Sequence, residues 1–184
     1  TINAPGGLTV PAGSLMQGSG TINALNGLHL EGGSSMQFGG TINAPVSSEA
    51  SSTITLTGNL TMGDAASFDG VNLAGRLNIG ANTLTLLDGR KAVLGSLTSI
   101  GTAIADGTLN SATGIELPET RTLIGRGTVN TVNGEFRNQG YVFGDNPGLT
   151  FNHLVTGAGD FGGTVNFLGG TDFGNSPAKI DVDN

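Results

Sequence analysis

Side chains able to do chemistry are thinly spread along this chain. It has two histidines, His29 and His153, and neither belongs to a His-x-x-x-His or related metal-binding pattern. Both read as ordinary strand or surface residues. There is no Cys, which removes disulfides and thiolate metal sites. Asp160, Asp172, Asp181 and Asp183 gather toward the C-terminus, with Asp145 and Asn146 ahead of them. Calcium favours several oxygen ligands, but the Gly-rich calcium nonapeptide pattern is not met, and these acids read as solvated turn residues. Ser176 sits in Gly-Asn-Ser-Pro without the frame of a nucleophile elbow. Glycoside hydrolysis needs two positioned carboxylates. The cations Arg76, Arg90, Lys91, Arg121, Arg126, Arg137 and Lys179 do not recur in register with any acid pair. No residue is assigned a catalytic role, no metal or cofactor is expected, and the chain is read as something other than an enzyme.

The most regular polar feature is a short echo. Thr1-Ile2-Asn3-Ala4 returns as Thr21-Ile22-Asn23-Ala24 and as Thr41-Ile42-Asn43-Ala44, each 20 residues on. The first two copies agree at 11 of 20 positions, including Gly7/Gly27, Gly13/Gly33, Met16/Met36 and Gly20/Gly40. The frame comes back as Thr108-Leu109-Asn110, as Thr128-Val129-Asn130, and as Thr164-Val165-Asn166. Thr53-Ile54-Thr55-Leu56-Thr57 is a clean alternation of polar and apolar residues. Between residues 58 and 107 the segments are less regular but still short, apolar and separated by turns such as Asp88-Gly89 and Asp106-Gly107.

Composition says what kind of element carries these residues. Of 184 residues 33 are Gly, and only 11% are charged, against a usual share of about 25%. Gly, Thr, Asn and Ser are poor helix formers, so the chain is extended and turn-rich. With 36% hydrophobic residues and few charges it does not fit a solvated disordered tail. No apolar run approaches a membrane helix, and a net charge of −7 with scattered cations disfavours nucleic acid.

A fixed period near 20 with short strands predicts an all-β fold, a parallel β-solenoid of roughly 20-residue coils stacked at about 4.8 Å. The right-handed form is expected from the usual hand of parallel crossovers. About nine coils would make a rod about 43 Å long. One domain is expected over residues 1–184, with regular repeats in 1–57, degenerate coils in 58–107 and Phe-enriched coils in 108–184. Side chains alternate along a strand. Ile2, Ile22, Ile42, Leu109, Val129 and Val165 should therefore point inward as one stack. A second inward stack is expected from Met16, Met36, Leu56, Leu123 and Phe143. The flanking Thr1, Asn3, Thr21, Asn23, Thr41, Asn43, Thr108, Asn110, Thr128 and Asn130 should form an outward ladder. Stacked hydroxyls and amides would support the sheet; the other reading is a flat polar binding face. Six of the eight Phe fall between Phe136 and Phe173, which suggests an aromatic core there or a contact surface for another subunit.

The run from Leu8-Thr9-Val10-Pro11-Ala12-Gly13 through Gly20-Thr21-Ile22-Asn23 resembles the recurrent coil of bacterial surface β-helices. These include autotransporter passengers and secreted proteins with the PEP-CTERM sorting signal. Ile115-Glu116-Leu117-Pro118 through Thr128-Val129-Asn130, and Asn138-Gln139-Gly140-Tyr141-Val142-Phe143-Gly144-Asp145-Asn146-Pro147, are similar to elements of such proteins. Gly157-Ala158-Gly159-Asp160-Phe161-Gly162-Gly163 with Gly174-Asn175-Ser176-Pro177 resembles the PEP-CTERM group most closely. The resemblance implies export to the cell surface, although neither a secretion signal nor a sorting motif is present, and the chain reads as a piece of a longer precursor. The expected function is an extracellular structural or adhesive solenoid of a surface or biofilm matrix, self-associating end to end into filaments because Thr1 opens directly in a strong repeat with no polar cap, or laterally. The alternative is an adhesin module gripping polysaccharide with the Thr/Asn ladder. A polysaccharide-active β-helix enzyme is the third and weakest reading.

Overall fold

Every element in the described part of the chain is a strand, and every pair of neighbouring strands runs parallel, apart from one isolated bridge between Ala44 and Gly63. The structure, a computed structural model, describes residues 1–68, 70–173 and the backbone of 180–181. Ser176, Lys179, Asp183 and the side chain of Asp181 lie outside the described residues. The strands form two sheets, one of nine strands and one of twelve. The larger sheet wraps two sides of the rod. Thr53–Asp64 shows this directly: its residues 53–55 pair with Arg76–Gly80, while its residues 60–64 pair with Thr83–Asp88. Each coil thus contributes three stretches. The first face carries Ile2–Asn3 and its successors, the second face carries Leu8–Val10 and its successors, and the third face carries the 15–17 stretch and its successors. Nine strands on the second face make eight turns, or about 38 Å of rod at the usual strand spacing.

The chain takes this form because no coil can bury its own apolar side. Alternation places one row of each strand inward, and stacking closes the rows into a single core. Thr122–Thr131 alternates half-buried and buried residues throughout its length. At the corners glycine is required. Gly40 has φ +116°, and a Cβ there would run into the carbonyl of Gly20 one coil away; Gly127 stands on Gly107 in the same fashion. Small polar residues close other corners. Ser34 and Ser52 are fully buried and donate to the carbonyls of Glu31 and Glu49, at 2.6 and 2.7 Å.

Inward stacking on the first face differs from the expected single row. Ile2, Ile22 and Ile42 continue into Met62 and Leu86, and then into the polar pair Ser111 and Thr131. Leu109 and Val129 belong to the neighbouring row, with Leu60 and Leu84 before them and Phe151 and Phe167 after. That row starts opposite Gly40. The echo slips by two residues because the coils from Met62 to Leu86 and from Leu86 to Ser111 are longer than 20. A slip of two keeps every side chain on its own side of the sheet, so the inward direction survives while the partners change. Val165 pairs with Leu149, another two residues off. The third-face row also differs. Met16 and Met36 are followed by Ile54, Leu77, Thr98, Leu123, Val142 and Phe161. Leu56 stacks on Phe38 instead, and Phe143 lies outside, beside Ile124.

The core changes character along the rod. Toward the start it is aliphatic, with Leu28, Leu30, Met36, Ile42 and Ile54 fully buried. Toward the end Phe136, Phe151 and Phe161 fill it. Ring centroids of Phe136 and Phe151 lie 4.8 Å apart, and those of Phe161 and Phe167 lie 5.1 Å apart at 83°. Such tilted and edge-on contacts add about 0.5–1.5 kcal/mol beyond burial. The aromatic-core expectation for this region is met by these rings.

Candidate functional site

The outward side of the first face is the site that the sequence singled out, and its polar side chains do project away from the core. Asn23 Nδ2 donates to Asn3 Oδ1 at 2.8 Å, and Asn43 Nδ2 donates to Asn23 Oδ1 at 2.8 Å. A second series runs Asn130 Nδ2 to Asn110 Oδ1 at 2.8 Å and Asn152 Nδ2 to Asn130 Oδ1 at 2.7 Å. These amides sit at the strand spacing, which lets each side chain serve as donor to one neighbour and acceptor from the other. The first ladder stops at Asn43 because Gly63 occupies the next rung.

The threonines form two rows rather than one. Thr21, Thr41, Thr61 and Thr85 stack in register, and Asn110 and Asn130 continue that same row. Thr83, Thr108, Thr128 and Thr150 make the neighbouring row. Thr83-Leu84-Thr85 contributes to both rows and splices the two frames. Thr1 is exposed on the first coil. The structure therefore splits the predicted ten-residue ladder into two offset halves, and it adds Thr61, Thr83, Thr85, Thr150 and Asn152. Thr150-Phe151-Asn152 was legible as a Thr-x-Asn echo 22 residues after Thr128. Its core Phe in place of an aliphatic residue hid it. Asn166 reaches Thr150 Oγ1 at 3.4 Å, a weak end to the series.

Other candidates resolve into structural contacts. His29 Nδ1 and Ser47 Oγ lie 2.9 Å apart, and Glu49 Oε1 is 3.8 Å from His29 Nε2. The same Glu49 accepts from the Gly32 amide at 2.7 Å, as Glu31 accepts from the Ala12 amide at 2.9 Å, so each acid closes the turn of the coil before it. His153 Nδ1 accepts from the Thr131 amide at 3.2 Å.

Four of the cations are likewise engaged. Arg121 reaches back across two coils to donate to the carbonyls of Leu73, at 2.5 Å, and Leu94. Burial lowers its pKa, with the nearby Glu116 carboxylate acting in the opposite sense. Lys91 pairs with Glu135, and that hydrogen bond is the main reason the Glu135 carboxyl is held below its ordinary value; burial opposes it. Arg126 Nε donates to Asp106 Oδ1 at 2.7 Å. Arg90 lies 4.5 Å from the ring centroid of Phe68. Among the described residues no group of three or more His, Asp or Glu is placed to hold a metal.

What the ladder face offers chemically is an outward array of hydroxyls and amides, the amides bonded to one another along the rod. Compared with known proteins, the chain matches no family model, no curated protein and no solved structure.

Proposed function

We propose that this chain is a structural solenoid of a bacterial surface or extracellular matrix. Its work is mechanical: it holds a fixed length and presents stacked coils to a further coil. The observation that carries this reading is the continuous stack itself: parallel sheets of nine and twelve strands enclose a single unbroken core. Strand edges left unpaired at an end of such a rod template further strands, and a second copy that supplies them repeats the contact and gives filaments. The resemblance of the coil sequence to bacterial surface β-helices supports an extracellular setting. Electron micrographs across a range of protein concentrations test the assembly: end-to-end rods are expected, and dispersed single particles at every concentration would count against it.

A second reading, an adhesin gripping polysaccharide with the Thr/Asn face, is favoured by the two Thr rows with amides beside them. Binding to a glycan array that persists after Thr21→Ala with Asn23→Ala would remove it.

A further inference from the structure

One corner of the rod departs from the coil plan. On the coil that carries Arg126, a single residue separates Gly125 of the third face from Gly127 of the first. Its two neighbours are longer at the same place. Ile100 and Gly107, which pair with Gly125 and Gly127, are separated by residues 101–106; Gly144 and Leu149, on the other side, are separated by residues 145–148. A loop, 101–106, and a bulge of the strand Tyr141–Phe151 therefore stand on either side of a bare corner, about two strand spacings or ~10 Å apart. Arg126 fastens one wall, donating from Nε to Asp106 and from Nη1 to the Ala103 carbonyl at 3.1 Å. Between the walls is a recess of about 320 Å³ lined by Ser99, Thr102, Ile124, Arg126, Asp145 and Asn146, among others. Insertions in repeat proteins map to one face, often the binding face.

An apolar platform continues from this recess along the third face. Ile124 lines the recess and pairs in register with Phe143. Tyr141, 41% exposed, has its ring centroid 6.3 Å from that of Phe143, with the planes 34° apart. Both rings lie over the next coil: a Cβ on Gly162 would stand 2.6 Å from Tyr141 Oη and 3.2 Å from Phe143 Cδ2, so the rings would have to shift to admit it. The rings thus lie against the glycine of the neighbouring strand.

We propose that this corner binds a neutral, unbranched glycan, with a pyranose ring on Phe143 and Tyr141 and its hydroxyls reaching Asp145, Asn146 and Arg126. Three observations select that ligand. Asp106, Asp145 and Asp160, the register partner of Tyr141, outnumber Arg126 and disfavour an anionic chain. The backbone of the floor is already paired on both sides, so an extended peptide finds no strand edge. The gap between the walls admits a single chain and not a folded domain.

Tyr141 is the only Tyr and there is no Trp, so intrinsic emission reports on the platform alone. Titration with the linear hexasaccharides of β-1,4-glucose, β-1,4-N-acetylglucosamine and α-1,4-glucose, up to on the order of 1 mM, is expected to change that emission for at least one of them. Phe143→Ser and Asp145→Ala, both outside the core, should each weaken binding by about tenfold or more. Absence of any emission change or heat with all three sugars overturns the proposal. So does binding that ignores Phe143→Ser and Asp145→Ala. Loss of binding only in Thr21→Ala with Asn23→Ala would place the sugar on the ladder face instead.

Discussion

The coils around Ile22 and those around Phe151 solve the same problem with different materials. Both halves stack a Thr-x-Asn strand at one coil per rung, both run an amide ladder, and both hide the middle residue. In the first half the hidden residue is a β-branched Ile on an aliphatic floor. In the second it is a leucine, a valine and then a phenylalanine in contact with Phe136, Phe161 and Phe167. The outer ladders repeat the same geometry, 2.8 Å in one half and 2.7–2.8 Å in the other. Backbone pairing and amide stacking thus tolerate a complete change of core, provided the strand keeps its period of two.

The sharpest way to break the comparison is to empty each core. Phe151→Ala should cost about 4 kcal/mol, because a large cavity opens among rings that cannot collapse together; Ile22→Ala should cost about 3 kcal/mol. Urea unfolding measures both, and equal losses would show that the ring contacts add nothing beyond buried area. The ladders should behave alike. Asn23→Ala and Asn130→Ala are each expected to cost about 1 kcal/mol, and a difference of more than about 1 kcal/mol between them would mean the two series are not equivalent. Thr98 lies between the halves in the third-face row, fully buried, with an Oγ1 that has no hydrogen-bond partner. Thr98→Val should therefore be neutral or stabilising by up to about 1 kcal/mol; destabilisation would point to a partner for that hydroxyl.

The smallest effect is a pH dependence in the second half. The Glu135 carboxyl titrates below its unfolded value, chiefly through the hydrogen bond from Lys91. A depressed folded value means its contribution is complete above about pH 4.3 and fades as pH falls through the folded value. The stability difference between the native chain and Glu135→Gln should be flat from neutral pH to about 5 and shrink in stronger acid. A difference that grew with acid would reverse the sign of the linkage.

Direction was legible in the sequence; register was not. Ile22, Ile42, Leu109 and Val129 all announce a buried position, because alternation of apolar and polar neighbours fixes the side of a strand without reference to its partner. Which residues stack depends instead on coil length through 58–107, where no Thr-Ile-Asn marks the count. Hence Leu109 meets Leu84 and not an isoleucine of the opening motif. Phe143 shows the same limit: a position counted by twenties put it in the core, while the strand's own alternation, with Val142 buried beside it, puts it outside. Arg121 gave no signal at all, since its partners are backbone carbonyls two coils away. The outward Thr and Asn side chains were legible, and their division into two rows was not.

The asparagine ladders carry one more consequence. Every amide in them is oriented the same way, each later residue giving its N–H to the earlier one, and every strand beneath them also points the same way. The rod is therefore vectorial, as a helix is through its summed peptide dipoles. Asn3 turns its donor toward any rung placed before it, while Asn43 turns its acceptor toward Gly63, a rung with no side chain. A copy stacked head to tail on the rod would keep this sense from coil to coil, whereas one stacked face to face would oppose donor to donor and run its strands antiparallel. Growth built on this chain would have a fixed direction, written in a row of side-chain amides.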